Sequence, residues 1–248
     1  MKLLSDFDGV WTYPAAEGAA HGAELDAALL ALADAPDRAA VRDWIATARR
    51  VVRAGPERWG WMAAGRLSAF ADEDPFTEHG ALLHYLHVRR TDDTIAGRLA
   101  AAIEKDGATL EAFGGRAHAG GVRQVEASRG PGITPQAADA GRTLLGAGIE
   151  IVVVSNSSRD KLQRWFAHAE LPACIHPERA DGALRVRGSA RKFVLAAGAG
   201  DTLAVAGLRV DVARPDYAQV LAEEAPDAVI GDAFSLDLAL PLALRRGK

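Results

Sequence analysis

The chain begins with a short apolar strand that ends in two carboxylates, Leu3-Leu4-Ser5-Asp6-Phe7-Asp8-Gly9-Val10-Trp11-Thr12. We expect residues 1–6 to be extended and Gly9 to allow the tight turn that follows. Asp6 and Asp8 stand two positions apart, so on an extended chain their side chains point the same way. Such a pair suits a hard cation such as Mg²⁺, but it is also typical of a solvated turn or a helix cap.

The chain after residue 130 alternates between apolar strands and helices. This rhythm predicts an α/β fold with a Rossmann-like parallel sheet, in which ligand sites gather at the carboxyl ends of the strands. Asp6, Ser155 and Asp232 would lie there. The predicted strands are 150–154, a short one around Cys174, 208–212 and 228–231; the predicted helices are 135–145, 159–169, 215–224 and 236–244; the passage 177–200 is unclear.

The region 17–129 is alanine-rich and has helical periodicity. We predict it to be an inserted α-helical cap domain, and residues 1–16 with 130–248 to form the α/β core domain. Glycines crowd the stretch 114–132, which indicates an irregular connection back to the core. The predicted cap helices lie near 23–33, 37–54, 57–71 and 94–105.

Two further strand ends carry polar groups that suit a phosphate site. Ile151-Val152-Val153-Val154-Ser155-Asn156-Ser157-Ser158 is a buried-strand pattern that ends in hydroxyls and enters a helix. The Ser155 hydroxyl and the N–H groups of the helix start can hold phosphoryl oxygens, whereas Ser157 or Ser158 suits a helix cap. Ala228-Val229-Ile230-Gly231-Asp232-Ala233-Phe234-Ser235-Leu236-Asp237 adds two acids, of which Asp237 also suits a structural role at a helix start.

Four segments together resemble the motifs of the haloacid dehalogenase (HAD) superfamily. They are, in chain order, Asp6-Phe7-Asp8-Gly9-Val10-Trp11-Thr12, then Val154-Ser155-Asn156, a later lysine, and Gly231-Asp232 with Asp237. The resemblance covers roughly the first dozen residues and the chain after about residue 130. It assigns the cap to no subfamily.

The resemblance implies a Mg²⁺-dependent phosphatase that hydrolyses a small phosphate monoester. Asp6 would attack phosphorus and form an aspartyl phosphate, and Asp8 would act first as general acid and then as general base. Ser155 would hold the phosphoryl group. The implied Mg²⁺ ligands are the Asp6 carboxylate, the Asp8 carbonyl and the Asp232 carboxylate, with Asp237 nearby, directly or through water.

The third motif departs from the usual pattern of the family. Arg214-Pro215 stands where a Lys-Pro pair often opens the helix before the last catalytic strand. We predict that Lys192 fills the lysine role, with Arg214 as the alternative, and that Lys161 faces outward from its helix. Thr12, Asn156 and Arg214 are predicted to contact the substrate together with Ser155.

Composition favours a small phosphorylated metabolite as the partner. A formal net charge of −4 gives no basic footprint for nucleic acid, and no apolar run is long enough to span a membrane. The single cysteine, Cys174, fits a reducing compartment, so we expect a cytoplasmic protein, which could form a homodimer through apolar cap surfaces. The alternative functions are a phosphomutase or other phosphotransferase of the same superfamily, and a HAD-like protein that binds a phospho-ligand without turnover.

Several residues of the insert could have a functional role, but we expect a structural or surface role for them. His84 and His87 share a helical face, which could serve a metal, yet no third ligand has suitable spacing, so we expect a structural or surface role. Tryptophan in a helical domain is usually core, and we expect this of Trp44, Trp59 and Trp61.

Overall fold

The structure is a computed structural model and describes residues 1–105, 107–198 and 200–247. It has two compact units, Met1–Pro14 with the chain from Pro131 onward, and Ala15–Gly130. The described strands are β1 (Lys2–Ser5), β2 (Gly60–Ala63), β3 (Arg66–Phe70), β4 (Glu150–Val154), β5 (Ala173–Ile175), β6 (Leu184–Arg187), β7 (Thr202–Val205), β8 (Leu208–Asp211) and β9 (Ala228–Ile230). The described α-helices are α1 (Ala15–Ala31), α2 (Arg38–Ala54), α3 (Pro75–Arg89), α4 (Thr94–Glu104), α5 (Leu110–Arg129), α6 (Pro135–Gly146), α7 (Arg159–His168), α8 (Pro215–Glu224) and α9 (Ala239–Arg246).

The first unit is an α/β structure built on a five-stranded sheet in the order β5-β6-β4-β1-β9. Its paired strands are all parallel, and Ser5 of β1 lies opposite both Val153 and Ile230. Residues 151–154 of β4 are fully buried because neighbouring elements cover both faces of the sheet, which explains their unbroken apolar run. This architecture is compatible with the predicted Rossmann-like core.

One strand of this sheet lies in the passage that the sequence leaves unclear. β6 takes the place between β5 and β4, although two of its four residues are arginines. Arg185 is buried and donates a hydrogen bond to the buried carboxylate of Glu224, and Arg187 Nη1 lies 2.7 Å from the same side chain. The strand therefore lacks an apolar pattern in the sequence, because its two arginines pair with a buried glutamate. The predicted strand at 208–212 forms as β8, but it pairs with β7 in a separate antiparallel hairpin.

The second unit contains α1 to α5 and a β-hairpin. The helices pack around an apolar cluster that includes Leu25, Ile45, Leu82, Leu99 and Phe113. None of the described helices combines the length and the hydropathy that crossing a membrane requires.

The helix predicted at 57–71 is wrong, because this stretch forms the hairpin of β2 and β3. Its two-residue turn, Ala64-Gly65, has positive φ at both positions, 48° and 74°. This is the backbone that a tight right-twisted hairpin needs and that a helix cannot contain. The fully helical insert predicted from the sequence is therefore corrected to helices plus one hairpin.

The irregular connection predicted from the glycines at 114–132 is wrong over residues 114–129, where α5 runs to Arg129, and is confirmed only for residues 130–132. The glycines reflect close packing between helices: a Cβ on Gly121 would lie 2.5 Å from the backbone nitrogen of His21 in α1. α3 is likewise absent from the predicted helices, although Asp74 begins it with a capping box.

Candidate functional site

The carboxyl ends of three adjacent strands meet at one edge of the sheet. β4, β1 and β9 are neighbours, and the residues that follow them include Ser155, Asp6 and Asp232. The Asp6 amide extends the β1–β9 pairing by donating to the Ile230 carbonyl at 2.9 Å. Residues from both ends of the chain and from its middle therefore meet at one place, as the strand pattern predicts.

Three carboxylates form a cluster there. One oxygen from each of Asp6, Asp232 and Asp237 lies within 4.8 Å of the others. Asp6 and Asp237 are buried, whereas Asp232 is exposed. The turn after β1 has to be glycine, because a Cβ on Gly9 would lie 1.8 Å from Asp232 Oδ2, and its φ is +74°. The backbone of the first motif thus packs directly against an acid of the last.

Lys192 is the cation that contacts these acids. Its Nζ lies 2.5 Å from Asp6 Oδ1 and 2.5 Å from Asp237 Oδ1, and its side chain is only 3% exposed. The other Asp237 oxygen accepts from the Ala233 amide at 3.1 Å, which fixes the carboxylate within the short π-helical turn Phe234–Leu238. Of the two cations that the sequence leaves open, Lys192 is therefore the one whose side chain reaches the predicted nucleophile.

Arg214 lies behind Lys192 and supports its backbone. Arg214 is 1% exposed, and its Nη1 donates to the Lys192 carbonyl at 2.7 Å. Asn156 acts on the other side of the same residue, because its Oδ1 accepts from the Lys192 amide at 2.8 Å. Two residues predicted to contact the substrate thus also hold the loop that carries Lys192.

This loop has an unusual backbone. Ser189 and Arg191 have φ values of 55° and 52°, a left-handed conformation that costs energy for residues with a side chain. Hydrogen bonds from the loop to the end of β4 hold it, since Ser189 N donates to the Ser157 carbonyl and Ala190 N to the Ser155 carbonyl. The lysine is therefore placed by contacts that are distant in sequence.

Asp8 lies beside two polar side chains of the α7 start. Ser157 Oγ donates to Asp8 Oδ2 at 3.2 Å, and Lys161 Nζ is 3.6 Å from Asp8 Oδ1. The expectation that Lys161 faces outward is wrong. Its side chain is buried, and Nζ lies 4.6 Å from the centroid of the Trp165 ring, so an aromatic face and a carboxylate together draw the lysine inward.

The serines after β4 have distinct roles. Ser158 caps α7, because its Oγ accepts from the Lys161 amide at 3.2 Å. Ser155 is buried, and its Oγ accepts from the Ser157 amide at 3.0 Å, so its hydroxyl hydrogen remains available to a ligand oxygen. Thr12 is also buried, and its Oγ1 has no hydrogen-bond partner among the described residues. Its backbone bridges to Ile133.

Burial and neighbouring charges shift the pKa values of Asp6, Asp232 and Lys192. Burial raises the pKa of Asp6 well above its usual value; Lys192 opposes this shift, and the negative charges of Asp237 and Asp8 add to it. Partial desolvation, followed by the charge of Asp237, raises the pKa of the otherwise exposed Asp232 to about 6. Burial alone lowers the pKa of Lys192, but Asp237 and Asp6 outweigh it and raise the pKa, so the lysine stays charged.

The donor set fits a hard divalent cation. Three carboxylates share one small volume, and among the described residues Lys192 contacts two of them. Burial first, and then the charge of neighbouring carboxylates, raises the pKa of Asp6 and of Asp232. All-oxygen ligands at one open edge of a sheet are the environment that Mg²⁺ prefers. Asp6, Asp232 and Asp237 are the side chains that would hold it.

Two contacts of the site have only weak signals in the sequence. Tyr217 is fully buried, and its hydroxyl donates to the Asp237 carbonyl at 2.9 Å. Lys161 follows Ser155 by six positions, which suggests an exposed helix face unless the nearby aromatic rings are considered.

Comparison with models of known protein families and with curated protein sequences finds no match to this chain.

Proposed function

We propose that this protein is a Mg²⁺-dependent phosphatase of the HAD type that hydrolyses a small phosphate monoester through an aspartyl phosphate on Asp6. The observation that carries the proposal is that one buried carboxylate, Asp6, contacts Lys192 and has oxygens of the acids Asp232 and Asp237 within 4.8 Å. A nucleophilic carboxylate and an anionic ester repel each other, so their approach needs nearby positive charge that neutralises both.

Lys192 supplies part of that charge. Its Nζ lies 2.5 Å from Asp6 Oδ1, so it favours the ionised nucleophile and can hold a phosphoryl oxygen on the same side. The Ser155 hydroxyl and the N–H groups at the start of α7 offer further donors for the phosphoryl oxygens. These groups would orient the ester for in-line attack by the free Asp6 oxygen.

Asp8 is the candidate for proton transfer. It stands two residues after the nucleophile and contacts Ser157 and Lys161, which restrict its side chain from the α7 side. In the first half-reaction it would protonate the leaving oxygen of the ester, and in the second it would take a proton from the water that cleaves the aspartyl phosphate.

A divalent cation bound by Asp6, Asp232 and Asp237 would neutralise negative charge on the phosphoryl group and on the acids themselves. The raised pKa values of Asp6 and Asp232 support this part of the proposal, because acids that resist ionisation in the protein alone ionise readily once a cation is bound. The unit Ala15–Gly130 is proposed to be the cap that limits the access of water and selects the substrate.

Hydrolysis of p-nitrophenyl phosphate by the full chain, with Mg²⁺ and with excess chelator, tests the proposal. We expect Asp6→Asn to lower the rate at least about 10³-fold, because the amide cannot act as the nucleophile. Asp139→Asn, which changes an exposed acid on α6, is the matched control and should retain full activity. Mass spectrometry of acid-quenched enzyme should find phosphate on Asp6.

Each alternative has its own outcome. Full activity of Asp6→Asn, or activity that survives chelation, would contradict the proposed mechanism. Release of p-nitrophenol that requires a second hydroxyl compound, with the phosphoryl group transferred to that compound and no inorganic phosphate formed, would indicate a phosphotransferase. Binding of inorganic phosphate without turnover of any ester would indicate a ligand-binding protein.

A further inference from the structure

Lys161 is a buried cation to which the proposed hydrolysis assigns no step of its own. Its side chain is 7% exposed, and it stands in the first turn of α7, Arg159–His168. Lysine is rarely buried, because its ammonium group then loses hydration. The start of a helix also carries a partial positive charge, which repels a cation. Burial and position therefore both oppose a lysine here, and residues that break such local rules are typical of functional sites.

Two aromatic rings hold the ammonium group of Lys161. Its Nζ lies 4.6 Å from the centroid of the Trp165 ring and 5.7 Å from that of the Phe7 ring. Both rings belong to one buried apolar cluster and pack edge-on against each other. The face of an aromatic ring attracts a cation, and closely packed rings leave it little freedom to move. The charge of Lys161 is therefore fixed at one place.

That place is beside the inner oxygen of Asp8. Lys161 Nζ lies 3.6 Å from Asp8 Oδ1, which is buried and accepts no hydrogen bond within the described part of the chain. A buried carboxylate oxygen without a hydrogen bond costs free energy. The nearby positive charge offsets this cost, because the attraction between opposite charges persists beyond hydrogen-bond distance. Lys161 thus stabilises the orientation in which Oδ1 points inward.

The outer oxygen of Asp8 has a different environment. Oδ2 accepts a hydrogen bond from Ser157 Oγ at 3.2 Å. The Asp8 side chain is 24% exposed although Oδ1 is buried, so its exposed surface lies on its other atoms. A general acid has to come within about 2.6–3.2 Å of the oxygen that it protonates. Oδ1 cannot do this from its buried position, which leaves Oδ2 to meet an ester.

We propose that Lys161 is a positioning residue that holds Asp8 Oδ1 inward and thereby presents Oδ2 to the leaving oxygen of the ester. This inference rests on the proposed function and adds a residue to it. In the first half-reaction an Asp6 oxygen bonds to phosphorus, the bond from phosphorus to the leaving oxygen breaks, and the proton moves from Oδ2 to that oxygen. In the second, a water oxygen bonds to phosphorus, the bond to Asp6 breaks, and Oδ2 takes a proton from the water.

Leaving-group dependence tests the role of Lys161, using the full chain with Mg²⁺ and two esters. Phenolate is more basic than p-nitrophenolate, so cleavage of phenyl phosphate depends more strongly on proton transfer from Asp8 than cleavage of p-nitrophenyl phosphate does. Lys161→Met keeps the length of the side chain and removes its charge. The ratio of kcat/KM for phenyl phosphate to kcat/KM for p-nitrophenyl phosphate should fall about tenfold, a part of the roughly 10²–10⁴-fold contribution of a general acid.

Two further variants separate this role from a structural one. Lys161→Gln is a second neutral variant and should show the same fall in the ratio. Leu162→Val is the matched control, because Leu162 is fully buried in the same turn of α7 and the substitution loosens its packing without changing a charge. It should leave the ratio unchanged even where it lowers both rates. Urea titration of each variant shows that it is folded.

A double variant tests whether Lys161 acts through Asp8. Once Asp8→Asn has removed proton transfer, adding Lys161→Met should lower kcat/KM for phenyl phosphate by no more than about twofold, because residues that act as one unit are not additive. A lysine that contacted the ester directly would instead multiply the two losses.

The outcomes distinguish this inference from the proposed function. Absence of turnover by wild type, or full activity of Asp6→Asn, overturns both. Turnover that depends on Asp6 and Mg²⁺, with the wild-type ratio retained in Lys161→Met and Lys161→Gln, overturns the role of Lys161 alone. An equal fall of the ratio in Leu162→Val, or losses that multiply in the double variant, does the same.

Discussion

Two regions of this molecule bury titratable side chains, and they do so in opposite ways. At the sheet edge, Lys192 is 3% exposed and contacts two carboxylates at 2.5 Å. In the helical unit, His21 is 4% exposed and packs edge-on against the rings of His79 and His118. A buried charge requires a partner, whereas an imidazole can avoid the cost of burial by remaining neutral.

The difference indicates what each region can bind. The sheet edge holds opposite charges close together, so it suits an ion and an anionic ester whose charges rearrange during a reaction. In the helical unit, burial keeps the His21 imidazole neutral, so this group offers no charge to an ion or to an anionic ester. Changes in one region should therefore leave the chemistry of the other intact.

The largest separation between the regions is expected for Asp8→Asn. The amide cannot transfer the proton, so hydrolysis of p-nitrophenyl phosphate should fall about 10²–10⁴-fold, the usual contribution of a general acid. The loss of stability that His21 causes as pH falls should not change. Steady-state kinetics and urea titrations on the same preparation measure both effects, and a change in both would show that the regions are not independent.

Removing the ammonium group by Lys192→Met should be the next largest effect. It leaves Asp6 and Asp237 buried without their cation, and breaking such a pair costs about 3–5 kcal/mol of unfolding free energy. Urea titration without divalent cations measures this loss. Lys105→Met, at an exposed position, should have little effect, and an equal loss in both variants would contradict the role of the buried contact.

The burial of His21 should make the free energy of unfolding depend on pH. The pKa of His21 falls from 6.5 to about 3 on folding, so between these values the unfolded chain binds more protons and stability declines as pH falls. His21 alone should cost about 2 kcal/mol at about pH 5 relative to neutral pH. Urea titrations at the two pH values should show a shallower decline for His21→Phe, and parallel declines would refute this assignment.

The smallest effect is expected for Asn156→Ala. The Lys192 amide then loses its acceptor, which should cost about 1 kcal/mol of unfolding free energy, the usual net value of one hydrogen bond. Asn156→Asp keeps an acceptor oxygen and should be less destabilised. If the two variants lose equal stability, the amide contact does not hold the loop.

Local sequence patterns were sufficient for part of this structure. β4 coincides with its predicted bounds and α8 with its own, because an unbroken apolar run and a helix that opens with proline are local signals. The same reasoning places Asp6 and Asp232 beside each other, since both follow strands of one parallel sheet. The helix predicted from periodicity at 57–71 and the irregular stretch predicted from glycines at 114–129 were both wrong, because a turn with positive φ and a tight helix contact decide these two regions.

The sequence alone determined which residue types stand at the ends of the strands, and so which chemistry the sheet edge can carry. Only the tertiary structure decided which cation reaches the acids. Lys192 lies on a loop that contains residues with left-handed backbone and is held by hydrogen bonds to Asn156 and Arg214. Lys161 points inward because its ammonium group lies over the Trp165 ring and near the Asp8 carboxylate. Such choices depend on the energy of contacts between residues far apart in the chain, which no local pattern of side chains encodes.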